Sequence, residues 1–344
     1  MRIAVLPGDG IGHEVVPAAL EVLEATGLAF EWVTFDWGCE RHLRDGAMMP
    51  DDALETLAGF DAVFLGAVGA PGVPDHISLW GMLIPIRRGF DQYVNLRPIR
   101  LLDGVRSPLA KPRGIDLVVV RENVEGEYSE VGGRLYRGRP EELAIQEAVF
   151  TRRGTERVVR YAFELAETRS GRLTSATKSN GIIHTMPFWD EVVEEVAAGH
   201  PGVEGERVLI DALCARVVSA PGSLDVIVAS NLFGDILSDL TAAVAGSIGI
   251  APSANLNPAG EHPSMFEPVH GSAPDIAGRG VANPIAQVWS GALMLEHLGH
   301  PEAAAHVMTA IERTLADPAH HTADLGGAAR TADVTAALVA QLSS

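Results

Sequence analysis

The sequence predicts an α/β protein, and three observations carry the prediction. Short apolar runs alternate with longer amphipathic stretches, turn residues or charges bound the runs, and no internal repeat or low-complexity segment interrupts the alternation. The first unit shows the pattern: Ile3 to Leu6 is strand-like, glycines follow, and Glu14 to Ala25 carries apolar residues at helical spacing. Ala62 to Leu65, Leu117 to Val120, Val208 to Ile210 and Val226 to Ala229 are further strands by the same criterion, with Asp211 closing the run VLID. Residues 122–139, rich in Gly, Tyr and Val, read as a hairpin or arm rather than a helix.

At 344 residues, 47% of them hydrophobic, the chain is long enough for two domains. Crossings fit Pro98 to Pro112 and the small-residue stretch Ala242 to Gly249. The predicted domains are therefore 1–98 with 246–344, which is discontinuous, and 99–245.

A formal charge of −19 argues against a nucleic-acid partner, because neutralising phosphates needs a basic face. The positive charge is local instead: Arg87, Arg88, Arg97, Arg100, Arg106, Lys111, Arg113 and Arg121 fall in one stretch. Of the 26 basic residues only Lys111 and Lys178 are lysine. Cys39 and Cys214 form no metal-binding or disulfide pattern, no run is long enough for a membrane span, and the N-terminal run is wrongly flanked for a secretory signal. A cytoplasmic location is expected.

Gly8, Asp9, Gly10 and Gly12 lie between a strand and a helix, but His13 stands where the dinucleotide fingerprint requires glycine. A tight turn with close strand and helix packing is the favoured reading. A second loop runs from Glu267 through His270, Gly271, Ser272 and Ala273 to Asp275, with Asn283 beyond. Its small residues suit either a structural turn or a phosphate-bearing ligand, and Asp275 would accept a ribose hydroxyl while repelling a 2′-phosphate.

In NLFGDILSDL, Asp235 and Asp239 share one helix face, where two like charges call for a hard divalent cation or else mark a solvated acidic face. Asp211 is a candidate third carboxylate. Arg87, Arg97 and Arg121 suit bidentate binding of substrate carboxylates, and Tyr128 is a candidate general acid.

These motifs together resemble the β-decarboxylating dehydrogenases, the family of isopropylmalate, isocitrate, homoisocitrate and tartrate/D-malate dehydrogenases. The resemblance runs from PGDGIG at Pro7 through NLRP at Asn95, Arg121 to Tyr128, TKSNG at Thr177, NLFGDILSD at Asn231 and EPVHGSAPDIAG at Glu267 to ANP at Ala282. VPDHISLWG at Val73, FDQYVNLRP at Phe90 and SANLNP at Ser253 look most like the tartrate/D-malate branch. Isocitrate enzymes carry Ser and Asn where this chain has Gly81 and Leu83, which offers no polar group to a third carboxylate. The isopropylmalate branch is also apolar at the position of Leu83, so an isopropylmalate dehydrogenase of leucine synthesis is the alternative enzyme, and a catalytically silent regulatory homologue the alternative of another class. Pro85 departs from the family pattern and should start or kink the helix before Arg87.

The resemblance implies an isopropylmalate dehydrogenase-like fold of two α/β domains with a mixed sheet, a cleft between them, and a homodimer joined through the second domain. It implies NAD and Mg²⁺ or Mn²⁺ as cofactors, with K⁺ a further candidate. Arg87, Arg97, Arg121 and Leu83 would line the substrate, Asp235 and Asp239 would hold the metal with Asp211 of the other subunit, and Lys178, also from that subunit, would be the base with Tyr128 the acid. Glu267, His270, Gly271, Ser272, Ala273, Asp275 and Asn283 would contact NAD.

Overall fold

The structure is a computed structural model in which residues 1–343 are described. Its strands are β1 (Arg2–Gly8), β2 (Glu31–Thr34), β3 (Ala62–Ala67), β4 (Val94–Arg100), β5 (Asp116–Glu122), β6 (Gly132–Leu135), β7 (Leu143–Gln146), β8 (Arg172–Thr177), β9 (Glu204–Leu209), β10 (Val226–Ala229), β11 (Pro252–Leu256) and β12 (Ser264–Pro268). Its helices are α1 (Gly12–Glu24), α2 (Cys39–Asp45), α3 (Ala53–Leu57), α4 (Asp75–Ser78), α5 (Ile84–Gly89), α6 (Arg152–Thr168), α7 (Thr185–Ala197), α8 (Ile210–Ser219), α9 (Asn231–Val244), α10 (Ile285–His297), α11 (Pro301–Ala316) and α12 (Thr331–Leu342).

Ten strands form one mixed sheet in the order β2-β1-β3-β12-β11-β4-β5-β10-β8-β9. Both ends are parallel, while β12, β11, β4 and β5 pair antiparallel through the middle. The strand period sorts the core. Ile3, Val5 and Phe64 face the main cluster with α1 and α10, whereas Ala4, Leu6, Val63 and Leu65 face a second cluster with Met82, Ile86 and Phe90. Those last three, at i, i+4 and i+8, pin the helical stretch that carries Arg87 onto the sheet.

That stretch is continuous from Asp75 to Gly89, but Leu79–Leu83 forms a π turn between α4 and α5. Pro85 accounts for it. It has no N–H for the carbonyl four residues back, and its ring would crowd that carbonyl in an α-helical register. The wider turn lets the Ile84 N–H reach the Leu79 carbonyl, five residues back.

Two expectations are corrected. Strand β9 stops at Leu209, and Asp211 lies in the first turn of α8, where its carboxylate is favoured by the helix dipole, instead of closing the strand. The arm extends past Arg139: its two-stranded hairpin pairs Gly132–Leu135 with Leu143–Gln146, and every residue of both strands is exposed.

Candidate active site

The site is built on α9. Ser230 caps its start, and the Glu127 carboxylate accepts from the Ser230 hydroxyl at 2.8 Å and the Leu232 N–H at 3.1 Å. Two of the helix's open donors are thereby satisfied, and negative charge sits at its positive end. Phe233, Leu237 and Thr241 bury one side, which turns Asp235 and Asp239 towards β4 and β5.

Arg121 on β5 lies directly opposite Asn95 on β4, and Arg97 follows two residues later on the same sheet face. Arg121 donates to Asp235 and holds Asn231 through two nitrogens, at 3.0 and 2.7 Å. Arg97 donates to the Ser238 hydroxyl and approaches Asp235 at 3.5 Å and Asp239 at 3.8 Å. Gly234 makes room: a Cβ there would stand 2.6 Å from the Arg121 Cβ. Arg87 comes from α5 and forms a buried ion pair with Glu267 at 2.7 Å. Tyr128 donates from its hydroxyl to Asp235 at 2.8 Å, and its ring lies beneath the Arg121 guanidinium.

The arginines are buried, whereas the Asp235 and Asp239 side chains stay partly open to solvent, 36% and 59% exposed. Burial, reinforced by Arg97, pushes Arg121 down to about 10, still charged at neutral pH. Burial also lowers Arg97. For Asp235, burial favours the neutral acid but Arg121 and Arg97 outweigh it, so its carboxyl titrates below the usual range. Burial raises Asp239, with the Asp235 carboxylate adding to the effect. Burial and then Asp235 raise the Tyr128 phenol, which keeps its proton available for donation.

The two glycine loops meet. The Ile11 N–H donates to the Ser272 carbonyl at 2.9 Å, and a Cβ on Gly10 would stand 2.1 Å from that oxygen, so only glycine permits the contact. Gly271 has open space where a Cβ would go, Ala273 holds a left-handed backbone with φ 41°, and Asp275 is exposed. His270 is buried with Nδ1 at 3.0 Å from the Gly271 carbonyl and Nε2 without a protein partner. Asn283 is engaged structurally: its carbonyl accepts from the Ile285 N–H at the start of α10, and its amide donates to Asp324. Glu267 belongs with Arg87 and Asn255 rather than with the glycine loop.

Lys178 and Asp211 form an ion pair of 2.8 Å with each other, but neither contacts the α9 carboxylates. Among the described residues, no three carboxylate, His or Cys side chains converge as a metal site within one chain. Leu83, in the π turn, packs against the second core cluster. The sequence reading missed Glu127, Asn231, Ser238 and the Glu267–Arg87 pairing, because each contact joins residues distant in the chain.

The isocitrate/isopropylmalate dehydrogenase family pattern matches residues 2–338. The chain belongs to this family. A probable tartrate dehydrogenase/decarboxylase of Bacillus subtilis is 56% identical over 99% of this chain and 98% of its own length. The D-malate dehydrogenase (decarboxylating) of Escherichia coli is 55% identical over 98% and 97%. The tartrate dehydrogenase/decarboxylase of Pseudomonas putida is 56% identical over 98% and 96%. In fold, the chain superposes on an isocitrate dehydrogenase from Methylococcus capsulatus with TM-score 0.92 at 34% identity, covering 100% of this chain and 99% of that one. The expected fold class and the resemblance to the tartrate/D-malate branch are both borne out. No helix among the described residues is long and apolar enough to cross a membrane.

Proposed function

We propose that this protein is a cytoplasmic, NAD-dependent and divalent-metal-dependent dehydrogenase that oxidises a small 2-hydroxy dicarboxylic acid, D-malate or a tartrate, and decarboxylates the product. The observation that carries the reading is the convergence of two buried arginines, Arg97 and Arg121, on a carboxylate pair one helical turn apart, with the Tyr128 hydroxyl bonded to one of those carboxylates. The names of the similar tartrate and D-malate dehydrogenases support the choice of substrate.

The residues fit the implied groups. Asp235 and Asp239 crowd negative charge that Arg97 and Arg121 offset in part, and their hard oxygens suit Mg²⁺ or Mn²⁺. The open backbone at Gly271 and the unpartnered His270 Nε2 suit a dinucleotide, and exposed Asp275 favours NAD over a 2′-phosphorylated cofactor. When bound, the metal would supply Lewis-acid polarisation of the C2 hydroxyl and NAD would supply the hydride acceptor. Arg87, Arg97 and Arg121 hold the substrate carboxylates and fix C2. Lys178 takes the hydroxyl proton, and Tyr128 protonates the carbon from which CO₂ has left.

Lys178 and Asp211 come from a second copy of the chain in this reading. Exposed apolar residues flank each fragment of the site: Ile183 is 68% exposed beyond Lys178, Val218 48% on the helix of Asp211, and Ile236 50% beside Asp235. A homodimer burying these faces would complete the metal ligands and bring in the base. The active-site cleft then lies between a lobe of residues 1–98 with 246–344 and a lobe of 99–245.

The test is a substrate panel of D-malate, L-tartrate, meso-tartrate, 3-isopropylmalate and isocitrate, run with chelated and metal-restored enzyme. We expect kcat/KM to be higher for D-malate than for 3-isopropylmalate, and activity only with Mn²⁺ or Mg²⁺. A clear preference for 3-isopropylmalate, or full activity after exhaustive chelation, overturns the reading.

A further inference from the structure

Arg88 follows Arg87 on α5 but points away from the substrate arginines. Its guanidinium spends all three nitrogens on segment 124–130: Nη2 donates to the Tyr128 carbonyl at 2.7 Å, Nε to the Val124 carbonyl at 3.3 Å and Nη1 to the Glu130 carboxylate at 3.0 Å. The Trp80 ring lies against it with its centroid 5.1 Å from the guanidinium carbon. Glu130 is 74% exposed, so that ion pair contributes little stability, and the two carbonyl bonds define the contact.

The same segment is anchored on its other side by Glu127, which binds the start of α9. Tyr128 therefore sits between two ties. Glu127 fixes it to the helix that carries Asp235, and Arg88 fixes it to the helix that carries Arg87. Arg87 and Arg88 are adjacent on α5, so one helix carries both the Arg87 guanidinium and the tie to the Tyr128 backbone.

We propose that Arg88 is a positioning residue that sets the Tyr128 hydroxyl against the carbon to be protonated, coupling substrate grip to the decarboxylation half of the reaction. The proposal rests on the roles of Arg87 and Tyr128 given above. Lysine cannot substitute, because one ammonium lacks the planar fork that spans two carbonyls and a carboxylate.

The experiment separates the half-reactions. Single-turnover NADH formation from D-malate reads hydride transfer. Pyruvate formation from supplied oxaloacetate, corrected for the metal-catalysed background, reads decarboxylation and protonation. For Arg88→Gln and Arg88→Lys we expect pyruvate formation to fall by about tenfold or more while NADH formation changes by less than about threefold. Glu130→Gln should leave both near wild type.

Tyr128→Phe is measured alongside to separate the two ideas. If it loses pyruvate formation while Arg88→Gln retains it, the clamp is overturned and the role of Tyr128 stands. If Arg88→Gln lowers both rates in equal proportion, Arg88 is a general structural residue and the proposal fails. If Tyr128→Phe itself keeps pyruvate formation, the role of Tyr128 fails and the clamp fails with it.

Discussion

At the scale of single residues, Lys178 and Glu122 make the sharpest predictions. Arginine dominates the positive charge of this chain, yet position 178 is lysine and donates to Asp211 at 2.8 Å. A cation alone could be arginine, but a proton acceptor cannot, because guanidinium does not shed its proton. Lys178→Arg should fold and bind NADH but lose about two orders of magnitude in kcat, and unimpaired turnover between about pH 6 and 9 would remove it as the base. Glu122 is fully buried beside Arg121 and accepts from the Val124 and Glu125 N–H groups. Burial outweighs those bonds and raises it from 4.5 to about 7. Below 4.5 the carboxyl is protonated in both folded and unfolded chains. As pH rises to about 7 the unfolded chain loses this proton first, so the stability its neutral form provides is lost. Glu122→Gln should flatten that dependence, by an amount on the order of 3 kcal/mol between its ends, in denaturant unfolding at a series of pH values. A variant with the wild-type slope would refute the assignment.

At the scale of elements, α9 and α5 meet the sheet through contacts that tolerate little change. Gly234 lies against Arg121, where an added Cβ at 2.6 Å would have to displace β5 or the helix. Gly234→Ala should cost about 1–3 kcal/mol and reduce kcat/KM, because either displacement moves Arg121 relative to Asp235. The denaturation midpoint together with the KM for D-malate checks this, and an unchanged KM would show that the contact serves packing alone. The face shared by Asp235 and Asp239 was legible in the sequence, since four residues make one helical turn. The partners of that face were not. Glu127 reaches the helix start from more than one hundred residues away in the chain. The π turn was legible only as a disturbance at Pro85, because the hydrogen bond that resolves the disturbance depends on neighbours packed around it.

At the scale of the whole molecule, the proposed sharing of each site by two subunits makes a prediction that a self-contained site cannot. Lys178→Arg and Asp235→Asn homodimers should each be nearly inactive. In a mixed dimer, one site takes Asp235 from the first chain and Lys178 from the second, both native. Random exchange of equal amounts makes about half the dimers mixed, each with one native site of two, so activity should return to about a quarter of wild type. No recovery after verified subunit exchange would place the whole site within one chain. By itself, the sequence determined what repeats or neighbours at short range: the strand and helix alternation, the two glycine loops, and the spacing of the α9 aspartates. Local sterics and residue periodicity are enough for these, since each expresses the geometry of a few consecutive residues. The tertiary structure alone decided that Arg87 pairs with Glu267, 180 residues away, that Arg121 clasps Asn231, and that Ser272 rests on Gly10. Those contacts follow from the order in which strands join the sheet, and strand order is fixed by packing over the entire core rather than by any local pattern.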